Sequence, residues 1–274
     1  MSFGTFVNRA LTKTTGYSLA RRSEPEPPAS RAERRRNRKL PPDYDEETRA
    51  IWRQVSHRTM VDHTKLQFLI DAVRYIERQQ IPGGIVECGV WRGGSMIAAA
   101  QTLLNLGVTD RDLYLFDTYT GMTAPTESDI RIDEQKHASE FLNAEGPGPM
   151  AWSRPDRHIA TLEDVQEGFS EIPYPAERIH YVVGKVEDTV PGSAPETISI
   201  LRLDTDWYES TKHELDQLYA RLAPGGVLII DDYGTWQGSK EATDEFLETT
   251  GEPLLLTRVN RSRVAVKPGL TSKF

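Results

Sequence analysis

The chain has 274 residues, a formal net charge of −8 and a single cysteine, Cys88, so neither a disulfide framework nor a cysteine metal cluster is available. No run approaches the roughly 18–20 apolar residues of a membrane span. Residues 1–40 hold ten Lys/Arg against three Glu, whereas the remainder holds 23 basic against 38 acidic residues, and an acidic body argues against a general nucleic-acid binder.

Residues 1–23 carry no acid. Phe3, Phe6, Val7, Ala10 and Leu11 could share one face of a short helix suited to a membrane surface, but a loosely ordered start is the favoured reading. Residues 23–45 are proline-rich, charged and almost without apolar side chains, which marks a flexible arm. Its run from Arg34 to Lys39 reads as a solvated face, with docking on an acidic partner or a membrane as the lesser reading. The expected division is an arm over 1–45 and a folded domain over 46–274. A short helix over 46–56 contains Trp52. An amphipathic helix follows, with Leu66, Leu69, Ile70, Val73 and Ile76 spaced by three and four, and Pro82-Gly83-Gly84 stops it.

A strand at Ile85-Val86 then feeds a glycine-rich turn and a helix over 96–104. The second strand, 113–117, ends in Asp117. Residues 120–160 are mostly polar, with Gly146-Pro147-Gly148-Pro149 and Trp152, and read as a lid or substrate-recognition insert. A helix over 161–171 and a strand over 179–183 come next. The fourth strand spans 198–204, and Leu215, Leu218, Tyr219 and Leu222 mark the helix after it. Pro224-Gly225-Gly226 turns into a strand from Val227 that runs into Asp231-Asp232. After a helix over 238–249, strands over 254–259 and 263–267 flank Asn260-Arg261-Ser262 as a hairpin. This alternation predicts an α/β fold, a doubly wound, Rossmann-like sheet of seven strands with a terminal antiparallel hairpin.

The first turn reads Glu87-x-Gly89-x-x-x-Gly93-Gly94-Ser95. Glycines there let a ligand approach the backbone, and a helix start aims free N–H groups at it. The spacing departs from the G-x-G-x-x-G of dinucleotide enzymes. An acid two residues before the first glycine, at a strand end, is the pattern of S-adenosylmethionine enzymes. Asp117 is placed to accept hydrogen bonds from two ribose hydroxyls. Asp188, after the third strand, receives the exocyclic amine of adenine, or else Asp188 or Thr189 is the N-cap of a helix. Arg92 is a candidate for the methionine carboxylate.

Asp204, Asp231 and Asp232 end two consecutive strands. If those strands are neighbours, their ends lie about 5 Å apart. Carboxylates that close repel unless they share a proton or hold a cation. Hard oxygen ligands with open positions suit Mg²⁺ better than zinc; the alternative is that Asp232 merely caps the next loop. A divalent cation beside a sulfonium binds two neighbouring hydroxyls of an acceptor and lowers the pKa of the one to be methylated. Positioning supplies much of the rate. Trp207 and Tyr208 either wall the acceptor pocket or pack in the core. His180 reads as packed, and His137 and His158 are the histidines of the insert.

Five blocks, VECGVWRGGSM (86–96), LYLFDTYTGM (113–122), GKVEDTVP (184–191), LRLDTDWYEST (201–211) and PGGVLIIDDYG (224–234), resemble those of the macrocin O-methyltransferase family of metal-dependent sugar methyltransferases. The resemblance runs from about Thr59 to Lys267 and implies a class I methyltransferase fold. It implies S-adenosylmethionine contacts at Glu87, Gly89, Ser95, Asp117 and Asp188, and Thr59-Met60 resembles the stretch that folds over the cofactor. It implies Mg²⁺ at Asp204, Asp231 and Asp232, with Asp204 as general base. A small-molecule glycoside acceptor, a homodimer or higher homo-oligomer and a cytoplasmic location are expected with it, and the insert is expected to choose the acceptor. Two other readings stay open at this point: a glycosyltransferase using Asp204-x-Asp206, and a non-catalytic scaffold docked by the arm.

Overall fold

The computed structural model describes residues 39–142 and 159–269. The stretch 1–38, with most of the basic arm, and 143–158, with Gly146–Pro149, Trp152 and His158, lie outside the described residues.

The strands are apolar on both faces because both faces are covered. β1 (Gly84–Cys88) and β6 (Ile198–Leu203) are buried along their whole length. β2 (Leu113–Asp117), β5 (Ile179–Val183), β7 (Leu222–Ile230), β8 (Thr257–Val259) and β9 (Ser262–Val266) complete a seven-stranded sheet in the order β5-β2-β1-β6-β7-β9-β8. Pairing is parallel from β5 to β7 and antiparallel at β9 and β8. Successive side chains alternate between two cores, as a period of two requires. Ile85, Leu113, Leu115, Ile200 and Ile229 face α1 (Glu46–Val55), α2 (His63–Arg78) and α3 (Gly94–Asn105). Val86, Cys88, Phe116, Leu201, Leu203 and Leu228 face the opposite core.

The sheet grows outward from β1 to β2 and β5, then the chain crosses back to place β6 on the other side of β1. The carboxyl ends of β1 and β6 therefore flank the switch point, where open α/β sheets hold ligands. Glu87, Asp117, Asp204 and Asp231 all stand at this edge, in or directly after their strands.

Three expectations need correction. Residues 120–142 are not a plain loop. They hold a two-stranded ribbon, β3 (Ile130–Arg131) with β4 (Lys136–His137), and a short helix α4 (Ala138–Leu142). Asp129 fixes this piece: one oxygen accepts the Tyr208 N–H at 2.8 Å and the other accepts from the Thr126 backbone and hydroxyl at 2.6 and 2.9 Å. Second, Asp188 and Thr189 are not helix caps; they end the short helix α5 (Val186–Thr189), which Lys185 precedes. Third, β7 begins at Leu222, upstream of Pro224-Gly225-Gly226, with a register shift against β6. Among the described residues no helix is long and apolar enough to cross a membrane.

Gly89 decides how close β1 and β6 come beyond their ends. Its φ is +84°, and a Cβ there would lie 2.1 Å from the Asp204 carbonyl oxygen. The Asp204 N–H donates to the Cys88 carbonyl at 2.8 Å in the same crossing. Gly89→Ala should lower the unfolding free energy by about 2–4 kcal/mol in urea titration. Gly107, also at positive φ but with nothing within 4 Å of its Cβ position, supplies the control, with Gly107→Ala costing only about 1–2 kcal/mol. Equal losses in the two variants would contradict the close approach.

Candidate active site

The strand ends surround a cavity of about 360 Å³, walled by Gly89, Asp117, Asp204, Asp231 and Asp232 and covered by Met60 and Val61. Beneath it lies Arg202, a β6 side chain only 4% exposed. Its Nη1 donates to Glu87 and, at 2.7 Å, to Asp204; its Nη2 donates to Asp231 at 2.7 Å. Glu87 faces Arg202 directly in the β1–β6 register. A second cation comes from α2, which starts where Asp62 Oδ1 accepts the N–H groups of Thr64 and Lys65 at 2.7 and 3.1 Å. Lys65 Nζ then reaches Asp231 Oδ2 at 2.5 Å.

These partners separate the acids. Burial works to raise the Asp231 pKa, but Lys65 and Arg202 outweigh it and hold the carboxyl well below the usual range. Burial pushes Asp232 and Asp206 up, and repulsion from neighbouring carboxylates adds to it. Asp206 accepts the Trp236 indole N–H at 2.7 Å, which ties the loop after β6 to the Trp207–Trp236 cluster under the insert. Asp204, Asp231 and Asp232 each offer an oxygen within 4.8 Å of the others. Asp232 Oδ2 is buried without a hydrogen-bond partner. That donor set suits a hard divalent cation.

The expected cofactor residues do not stand together. Gly89, Asp117 and Met60 line the cavity. Asp117 spends both oxygens on the protein: one accepts the N–H groups of Val90 and Trp91 at 2.8 and 3.0 Å, the other that of Tyr119 at 2.8 Å. Glu87 is 1% exposed, turned onto Arg202 and off the cavity wall. Ser95 and Thr59 are buried and off it as well; the Thr59 hydroxyl accepts the Val61 N–H at 3.2 Å. Asp188 lines an adjoining cavity of about 320 Å³, together with Glu187 and Trp207. Arg92 is bound bidentately by Asp164 at 2.7 and 2.8 Å, away from both cavities. His137 is occupied locally by Ser139 and the Thr126 carbonyl, and His180 stacks on Tyr114.

Residues 28–267 match the family model for macrocin-O-methyltransferase (TylF). The chain belongs to the macrocin-O-methyltransferase family. It is 34% identical over 182 residues to the Streptomyces olivaceus 8-demethyl-8-(2,3-dimethoxy-alpha-L-rhamnosyl)-tetracenomycin-C 4'-O-methyltransferase, a match that spans 66% of this chain and 64% of that one. It is 30% identical over 210 residues to the Micromonospora griseorubida mycinamicin III 3''-O-methyltransferase, covering 77% and 78% of the two chains. Among solved structures, the O-methyltransferase NovP superposes with a TM-score of 0.66 at 27% identity, over 77% of this chain and 83% of that one. The sheet is that of class I methyltransferases, and family and fold together make the protein an S-adenosylmethionine-dependent O-methyltransferase. Membership sets aside the glycosyltransferase and scaffold readings.

Sequence reasoning missed Arg202 and Lys65. For Arg202 a signal existed, since an ionisable residue inside the apolar run Ile198–Leu203 must find a buried partner. Lys65 sits at a polar helix position that nothing local marks.

Burial raises the Glu87 carboxyl to about 7, against the pull of Arg202. A folded value above the unfolded one, about 4.3, means stability that is full below that pH and lost as the pH rises through 7. Glu87→Gln does not titrate. Whatever its offset, the variant should therefore gain stability relative to the parent between about pH 5 and about pH 8 in urea unfolding. A difference that stays flat over that range would refute the assignment.

Proposed function

We propose that the protein transfers the methyl group of S-adenosylmethionine to a hydroxyl of a sugar carried by a glycosylated natural product, and that Mg²⁺ takes part. The rhamnosyl group in the name of one relative supports a sugar acceptor. The observation that supports the cation is the convergence of Asp204, Asp231 and Asp232 around an unpartnered, buried Asp232 oxygen. Those three side chains would hold the ion, which when bound supplies a Lewis acid for the acceptor's hydroxyls. Asp204, the most exposed of the Arg202-bound acids at 25%, faces the cavity and takes the acceptor's proton as general base. Arg202 fixes the direction of that carboxylate. Gly89 and the Met60–Val61 stretch bound the volume proposed for the cofactor, Asp117 stands at its ribose and Asp188 at its adenine. Glu87 and Thr59 act behind them, by holding Arg202 and the covering stretch, and Ser95 is buried in the first turn of α3.

Calorimetric titration of S-adenosylmethionine, with Mg²⁺ and with excess chelator, should give micromolar binding in both conditions. Methyl transfer to a panel of glycosides should need the cation, and Asp204→Asn should lower kcat by about 10²-fold or more while leaving cofactor binding within about threefold. Undiminished turnover in that variant removes Asp204 as the base, and chelator-resistant turnover removes Mg²⁺. We propose a homo-oligomer as well, and light scattering on the same preparation tests it: a monomer mass removes it.

A further inference from the structure

Asp231 and Asp232 are adjacent and line one cavity, yet their surroundings are opposite. Asp231 has both oxygens engaged by the protein. Oδ1 takes Arg202 Nη2 at 2.7 Å and the Ser262 hydroxyl at 3.2 Å, and Oδ2 takes Lys65 Nζ at 2.5 Å. Lys65 also donates to the Asp231 backbone carbonyl at 3.2 Å. Asp232 Oδ2 has no partner. An ion that uses Asp232, Asp204 and Asp231 together meets an ammonium already seated on the third ligand. Two cations on one carboxylate oxygen, enclosed in protein, repel strongly.

We propose that Lys65 is the resident counter-cation of Asp231, and that a divalent ion entering the Asp204–Asp231–Asp232 cluster binds by displacing it. The inference rests on the metal reading above and adds a property to it: the ion is exchangeable, because a built-in competitor occupies one of its ligands. The stem of Lys65 allows this. The side chain is 13% exposed, lines the cavity and stands on the first turn of α2, next to the covering stretch, so a rotamer change withdraws the ammonium without moving the sheet. Arg202, enclosed by three carboxylates and 4% exposed, has no such exit.

The test is Mn²⁺ binding to the full chain without cofactor or acceptor, read from the loss of the free-ion electron paramagnetic resonance signal. Mn²⁺ shares the preference of Mg²⁺ for six oxygen ligands. Lys65→Met and Lys65→Gln, the second keeping a hydrogen-bond donor, should bind Mn²⁺ about tenfold or more tightly than the parent. Lys185→Met measures the loss of a charge on the same cavity that pairs with none of the three acids, and should shift affinity by less than about threefold. If both Lys65 variants match Lys185→Met or bind more weakly, the displacement idea is wrong while the metal reading stands. If no form binds Mn²⁺, or if binding survives Asp232→Asn, the metal reading falls and takes the inference with it.

Discussion

The site depends on one guanidinium. Arg202 joins carboxylates from the ends of β1, β6 and β7, three neighbouring strands. A planar fork with fixed nitrogens can hold acids on two sides at once, which the single ammonium of a lysine cannot. The arrangement is costly in isolation, because taking charges out of water costs several kcal/mol per ion and removing one partner strands the others, at roughly 3–5 kcal/mol. It persists because the register of the sheet already brings Glu87 opposite Arg202 and Leu203 opposite Ile230. Packing of two apolar cores thus fixes the backbone, and the backbone delivers the charges.

Covering the cavity follows a different rule. The pieces over it come from distant parts of the chain and are pinned by polar contacts at the rim. Asn260, in the β8–β9 turn, donates to Asp62 before α2. Asp133 of the insert bridges Arg131 at 2.8 Å and Arg261 of the same β8–β9 turn at 2.7 Å. Trp91, Tyr119, Asp206 and Asn260 all have positive φ without being glycine, and such strain gathers where surrounding structure dictates a loop's path. The floor is held by burial and the roof by polar contacts at the rim, of which the exposed Asp133–Arg261 ion pair is screened by salt. The roof is accordingly the part of the site that solution conditions can loosen.

Much of the fold was legible because its signals are local. Apolar runs of five or six residues, bounded by glycine or proline turns and separated by helical spacing, specify a doubly wound sheet. The carboxylates of Asp204, Asp231 and Asp232 could be placed together because strand ends in such a sheet share one edge. What escaped depends on contacts between distant residues. The β3–β4 ribbon and α4 exist because Asp129 meets Tyr208 and because Ala138 packs under Trp207 and Trp236, and no periodicity encodes that. The glycine spacing alone suggests room for a ligand. Gly89 and Gly94 make room for the protein itself, against the carbonyls of Asp204 and Arg58. The strand-end position of Glu87 suggests a cofactor contact, and its side chain meets Arg202. Strand-end acids can be located from sequence, but what each one touches depends on the cations the fold brings, and one of the two, Lys65, comes from a helix that precedes the sheet.

Position explains why those two cations differ. Glu87, Asp204, Asp206, Asp231 and Asp232 crowd one edge of the sheet, with Arg202 and Lys65 against them. The excess negative charge has to be met by protons or by a further cation. Burial favours protons on Asp206 and Asp232, and an incoming divalent ion replaces protons. With all five acids ionised and two resident cations against them, the net charge leaves room for a divalent ion; what the ion meets is an ammonium already seated on the Asp231 oxygen it needs. Arg202 cannot leave, since three strand ends close around it. Lys65 can, because it reaches the cluster from the rim on a four-carbon stem. A cluster with one fixed and one withdrawable cation changes its charge by a single unit without disturbing the sheet, and the withdrawable one stands on the side from which ligands arrive.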